Sequence, residues 1–126
     1  MDEELLRQER EILREYLLQR KTNLEDISLE IGEENLTKLI LDLVRMDKFL
    51  KNAEEAAKLK NFESTVELTV QGRLVKDNFY SVLANAYGGM PALLRRGLDG
   101  TPTLLRDYVL QKYDSCVTRC ENTLYS

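Results

Sequence analysis

The chain has 126 residues, with 18 Lys and Arg against 22 Asp and Glu, a formal net charge of −4 and no histidine. That length fits one domain, and 43% apolar with 32% charged residues fits a modest core under a well-solvated surface. No apolar run is long enough to span a bilayer, and the lack of histidine removes the commonest neutral-pH base and metal ligand.

The N-terminal stretch MDEELLRQEREILREYLL is acidic and amphipathic and lacks the basic start and apolar centre of a secretory signal, so a cytoplasmic location is expected. Leu5, Leu6, Ile12, Leu13, Tyr16 and Leu17 share one stripe at helical spacing, which predicts a helix over residues 1–21. Such a helix docks either on its own domain or on a neighbouring subunit, and Leu6, Leu13 and Leu17 are its candidate interface residues. A short helix follows, with Asn23 as N-cap, Leu24, Ile27 and Ile31 as its apolar face, and Gly32 at its left-handed end. A long helix then starts near Asn35. Leu36, Leu39, Ile40, Leu43, Met46, Leu50, Ala53 and Ala57 line one side of it to about residue 60.

The period then changes. Val66, Leu68 and Val70 alternate with Glu67 and Thr69, Gln71-Gly72 can turn the chain, and Leu74-Val75 can return. The expectation is a small β-hairpin near residues 64–76. Asp77 or Asn78 caps a further helix carrying Phe79, Val82, Leu83, Ala86, Met90, Leu93 and Leu94 on one side. The YGGMP stretch interrupts this pattern without ending it, which predicts a kink. Gly88 and Gly89 there are candidates for a close helix crossing at a subunit contact. Gly97 ends that helix, LDG turns, and Thr101 and Pro102 stand as N-cap and first residue of a last helix carrying Leu105, Tyr108, Val109, Cys116 and Cys120. The fold expected is thus mainly α. It is a single domain holding a bundle of four to five helices and the small hairpin, divided as 1–21, 23–97 and 101–123.

Little in this pattern carries catalytic chemistry. There is no GxxxxGK[ST] phosphate loop, and the carboxylates alternate with cations as on solvated helix faces. Asp42 and Asp47 sit near the apolar stripe, but five residues apart is a poor spacing for a shared metal. Cys116 and Cys120 would lie on one helix face as semi-buried thiols, or as a strained disulfide, and two more ligands would be needed for a metal site. The chain is therefore expected to be no enzyme, with no cofactor, metal or small-molecule substrate.

Binding is the remaining class. Residues 24–40 read as helix, glycine turn and helix, with Ser28, Ile31 and Gly32 where a helix-turn-helix wants them. Glu33 and Glu34, however, would open the recognition helix with charges that repel phosphate. A plain helical hairpin is preferred. Residues 1–36 hold eleven acidic and five basic side chains, whereas residues 37–126 hold eleven acidic and thirteen basic. A DNA-facing surface would have to come from Arg73, Lys76, Arg95 and Arg96 in the second part, gathered locally or by oligomer assembly.

The order of segments resembles one family of small subunits of tailed-phage terminases. A long helix ENLTKLILDLVRMDKFLKNAEEAAK leads to the patch ESTVELTVQGRLVKDN, then to FYSVLANAYGGMPALLRRGLD and the turn GTPT. The matching residues are Gly72-Arg73, Val75-Lys76, Tyr80 to Leu83, Leu93-Leu94, Gly97-Leu98 and Thr101-Pro102, within about residues 35–103. Asp77-Asn78-Phe79 replaces an expected asparagine-proline step, and Asp99-Gly100 are inserted before the Thr-Pro. The resemblance implies a non-catalytic, homo-oligomeric DNA-packaging component that binds viral DNA and regulates a large terminase subunit in the host cytoplasm. Arg73, Lys76, Arg95 and Arg96 would be its DNA contacts. The alternative is a helical adaptor or assembly factor that binds protein through its amphipathic helices and never touches nucleic acid.

Overall fold

A computed structural model describes residues 2–96 and 100–126, apart from the side chain of Arg96. The described residues form six helices in chain order: α1 (Glu3–Leu18), α2 (Leu24–Ile31), α3 (Glu33–Lys58), α4 (Phe62–Ala86), α5 (Met90–Arg96) and α6 (Thr101–Leu124). Among the described residues there is no strand, and no helix is long and apolar enough to cross a membrane.

The long helix α3 is the centre. Leu36, Leu39, Ile40, Leu43, Met46, Leu50, Ala53 and Ala57 are buried along it, as the apolar stripe requires. Helix α4 returns antiparallel beside it after a tight turn in which Lys60 takes a φ of 57°. Asn61 closes that turn by capping α4, its Oδ1 accepting from the Ser64 amide at 3.1 Å. α6 packs on both α3 and α4, and α1 and α2 cover the remaining side of α3. One contiguous core results, from Leu13 and Leu17 on α1 to Cys116 and Cys120 on α6.

The β-hairpin expected at residues 64–76 does not exist: that stretch lies wholly within the 25-residue helix α4. The alternation misled because α4 is apolar on two sides. Thr65, Gly72, Phe79 and Leu83 are buried against the bundle, with Leu68 and Val75 half-buried beside them, while Phe62, Val66, Val70 and Leu74 face solvent. Two interleaved helical stripes look like period two over a few residues. Gly72 makes no turn. It is the point of closest approach to α3, where an added Cβ would stand 2.8 Å from Leu50 Cδ2.

Three other expectations change at helix ends. The YGGMP stretch is a break between α4 and α5, not a kink. Gly88 and Gly89 have φ of 94° and 100°. Their amides donate to the carbonyls of Asn85 at 3.1 Å and Ala84 at 2.7 Å, a Schellman-type stop. Pro91 then falls in the first turn of α5, where its missing N–H costs nothing. At α6 the N-cap is Gly100 and Thr101 is the first helical residue. At α2, Asn23 holds the N-cap position but its side chain makes no capping bond. The turn expected at Gly97 to Asp99 lies outside the described residues.

Candidate functional site

The helix-turn-helix reading meets its test at α2, Gly32 and α3. The three follow one another as expected, but α3 is the spine of the bundle, and its exposed face opens at the N-terminal end with Glu33 and Glu34, charges that repel phosphate. Glu33 is occupied as well. It accepts from Ser28 Oγ at 2.6 Å and pairs with Arg10 of α1. The Ser28 bond first, then the Arg10 guanidinium, hold its carboxyl below the usual range.

The four expected DNA contacts come from two helices, Arg73 and Lys76 three apart on α4 and Arg95 and Arg96 on α5. Arg73 is exposed on α4 and Arg95 is exposed on α5, while the Arg96 side chain lies outside the described residues. Lys76 is half-buried, with its Nζ 4.6 Å from the centre of the Tyr113 ring and 5.8 Å from that of Tyr80. Carboxylates interleave with these cations. Burial pushes the Tyr80 and Tyr113 phenols up. Arg106 beside Tyr80 and Arg73 beside Tyr113 pull the other way, and Asp77 and Asp114 near both rings raise them further.

The expected interface residues fall elsewhere too. Leu13 and Leu17 are both 0% exposed, so they are core and not a docking surface. Leu6 is half-buried and packs against the same core. Gly88 and Gly89 permit a positive φ and not a close crossing: an added Cβ would meet only Ala92 at 3.4 Å or Pro91 at 3.8 Å, both in the adjoining helix.

The seam between α1, α3 and α6 holds the most concentrated chemistry. Glu9 of α1 is only 3% exposed. Tyr108 donates to its Oε1 at 3.0 Å, and Lys112 Nζ stands 2.9 Å from Oε1 and 3.1 Å from Oε2. Lys112 also donates to Asp47 Oδ2 of α3 at 2.9 Å. Burial alone would lower the Lys112 ammonium, yet Asp47 and Glu9 overrule it and hold it above its ordinary value. Burial pushes the Glu9 carboxyl up against the opposing pull of Lys112. Tyr16 meets Tyr108 edge to face, ring centres 4.8 Å apart. Every group here already has a protein partner, so the seam clamps α1 onto the bundle. A groove of about 510 Å³ opens beside it, lined by Ile12, Tyr16, Lys51, Glu54 and Arg119 among others. Its charged residues are largely committed, with Arg119 Nε donating to Glu54 at 2.6 Å.

Asp42 and Asp47 do not converge. Asp42 is buried and accepts from Asn78 Nδ2 of α4 at 2.9 Å, whereas Asp47 faces α6. Among the described residues no group of three or more potential metal ligands forms. Cys116 and Cys120 are free, buried thiols with their sulfurs 4.0 Å apart. Burial pushes both thiols up, so neither is an activated nucleophile.

The feature missed in the sequence is the outer face of α4. Phe62 is 56% exposed, Val66 42%, Val70 46% and Leu74 56%. They are spaced four apart, and each is turned only about 40° from the last, so they form one continuous ridge. Glu63 and Glu67 run along one flank of it, Arg73 lies on the other, and Asp77 stands beyond its end. All four are exposed, and none forms an ion pair among the described residues. At the far end of α4 an apolar groove of about 500 Å³ lies between α4, α5 and α6, lined by Leu83, Met90, Leu93, Leu94 and Pro102 among others.

No protein-family model, no curated protein and no solved structure matches this chain.

Proposed function

We propose that this chain is a non-catalytic protein–protein adaptor or assembly module whose docking surface is the outer face of α4. The observation that carries this reading is the ridge of Phe62, Val66, Val70 and Leu74, four large apolar side chains in register on the solvent side of a helix already packed on its other side. A helix with one face in the core is normally charged and polar on the opposite one. Contiguous exposed apolar patches on a soluble domain mark interaction sites. The reactive-looking groups elsewhere support the same reading, because Glu9, Asp47, Tyr108 and Lys112 are spent on one another.

The test is a photocrosslinking residue placed at Val70 in the full chain and activated in extract of the source cell. Adducts that disappear when Val66→Asp is added are expected. A chain that stays uncrosslinked overturns the reading.

A second reading, a DNA-packaging component like the terminase small subunits, draws on Arg73 and Arg95, which are exposed on α4 and α5. Salt-dependent binding of duplex DNA, weakened by Arg73→Ala and Arg95→Ala, would favour it over the adaptor. Regulation of a large terminase subunit belongs to this second reading alone.

A further inference from the structure

The ridge on α4 has a polarity that narrows its partner. Glu63 and Glu67 border one flank, Asp77 lies just past Leu74, and Arg73 is the exposed cation of the other flank. Lys76, the next cation along α4, is half-buried and turned toward the Tyr113 and Tyr80 rings. The border of the ridge is therefore acidic on balance, and its acids are free of ion pairs among the described residues.

A second copy of this chain is a poor occupant. In an antiparallel two-fold pairing centred between Val66 and Val70, each flank meets the same flank of the other copy. The Glu67 carboxylates of the two copies are then set against each other, with no cation of that flank within reach. A parallel pairing brings opposite flanks together but leaves Arg73 about 9 Å further along the axis than Glu67. Neither arrangement is self-complementary. The ridge residues lie four apart, and such a row packs into the groove beside the matching row of another helix.

Resting on the docking reading above, we infer that the outer face of α4 takes an amphipathic helix of a different protein. That helix carries apolar residues four apart and lysines or arginines along the flank that meets Glu63 and Glu67. This is the helix-on-helix mode in which apolar anchors supply affinity and the bordering charges set orientation and partner choice.

The experiment uses the full chain and two synthetic helical peptides. Both have leucines at i, i+4 and i+8, one has lysines along a single flank, and its twin has glutamates in those places. Fluorescence anisotropy reads binding. The lysine peptide is expected to bind about ten-fold more tightly than its twin, with the gap closing as salt is raised. Glu63→Lys with Glu67→Lys reverses the order, and Val70→Asp removes binding of both. Val66→Ser with Leu74→Ser replaces Val70→Asp if that variant loses its helical circular dichroism. Equal affinity for the twins, an order that survives the Glu63→Lys/Glu67→Lys exchange, or binding indifferent to the ridge substitutions overturns the inference. Crosslinking from position 70 with no binding by either peptide keeps the docking reading and overturns the partner chemistry. Absence of crosslinking removes the docking reading itself.

Discussion

The seam under α1 and the outer face of α4 are opposite cases of one question: what covers an apolar stripe. On α1, Leu13 and Leu17 are covered completely by the bundle, and Glu9 beside them is held by Tyr108 and Lys112. On α4, Phe62, Val66, Val70 and Leu74 are as regularly spaced, yet each stays about half exposed among the described residues. By sequence the first stripe suits its own domain or a partner subunit, and Leu13 and Leu17 on it are core; the second falls in an expected hairpin, and it is surface. Amphipathic spacing says that a face will be buried, and it does not say by what.

The largest expected effect lies in the seam. Lys112→Met leaves Glu9 and Asp47 facing each other without their cation, and removing one member of a buried ion pair costs about 3–5 kcal/mol near neutral pH. The pH dependence has a definite sign. The folded-state value of Glu9 is raised, so folding favours its neutral form. Its contribution is complete below the unfolded carboxyl range of about 4.3 and is lost as pH rises through the higher folded value. Lys112→Met should thus regain stability relative to the parent as pH falls, read as Tm across an acid series. In the parent the raised Lys112 gives stability that is full below about 10.4 and fades as pH climbs above it, and this alkaline loss vanishes in Lys112→Met. A flat difference between the two chains across both ranges would show that the seam is not an ion-paired clamp.

Next comes the same chemical change on the two stripes. Leu17→Ala empties a fully buried site and should cost about 2–5 kcal/mol. Leu74→Ala, on the exposed ridge, should stay within about 0.5 kcal/mol. Urea unfolding of both variants measures the gap. Equal losses would dissolve the distinction between the covered and the uncovered stripe.

Gly72→Ala probes the inner face of α4. Alanine gains about 1 kcal/mol of helix propensity over glycine. Against this stands the push of its Cβ on Leu50 Cδ2 at 2.8 Å, and overpacking costs about 1–3 kcal/mol. A net loss near 1 kcal/mol in thermal or urea unfolding is expected. A clear gain would mean that α4 stands further from α3 than described. The smallest effect is Val66→Ser with Leu74→Ser, which should leave Tm almost unchanged while ending crosslinking from position 70.

Much of the bundle was legible from residue order. α2, α3 and α6 each carry one apolar stripe at helical spacing whose expected residues are buried, Leu24, Ile27, Leu39, Leu43, Leu50, Leu105 and Val109 among them, while on α1 Leu13 and Leu17 are buried and Ile12 of the same stripe is exposed. α4 was illegible because its two stripes overlap in sequence, with Leu68 facing inward between Val66 and Val70 facing outward. The polar seam was illegible for another reason. Glu9, Asp47 and the Tyr108/Lys112 pair come from three different helices, and only Tyr108 and Lys112, one helical turn apart on α6, share a local spacing.

The sequence by itself determined that this protein is mainly helical, built around the stripe of residues 36–57, with a thiol pair on the inner side of its last helix. Those are local properties, set by which side chains recur every three or four positions. Tertiary structure alone decided that Glu9 and Lys112 meet, that Gly72 marks a close approach and not a turn, and that one apolar ridge of α4 is left uncovered. The physical reason is that burial is a relation between elements. A stripe carries its demand for cover in its own residues, but whether the demand is met depends on how the other helices are spent.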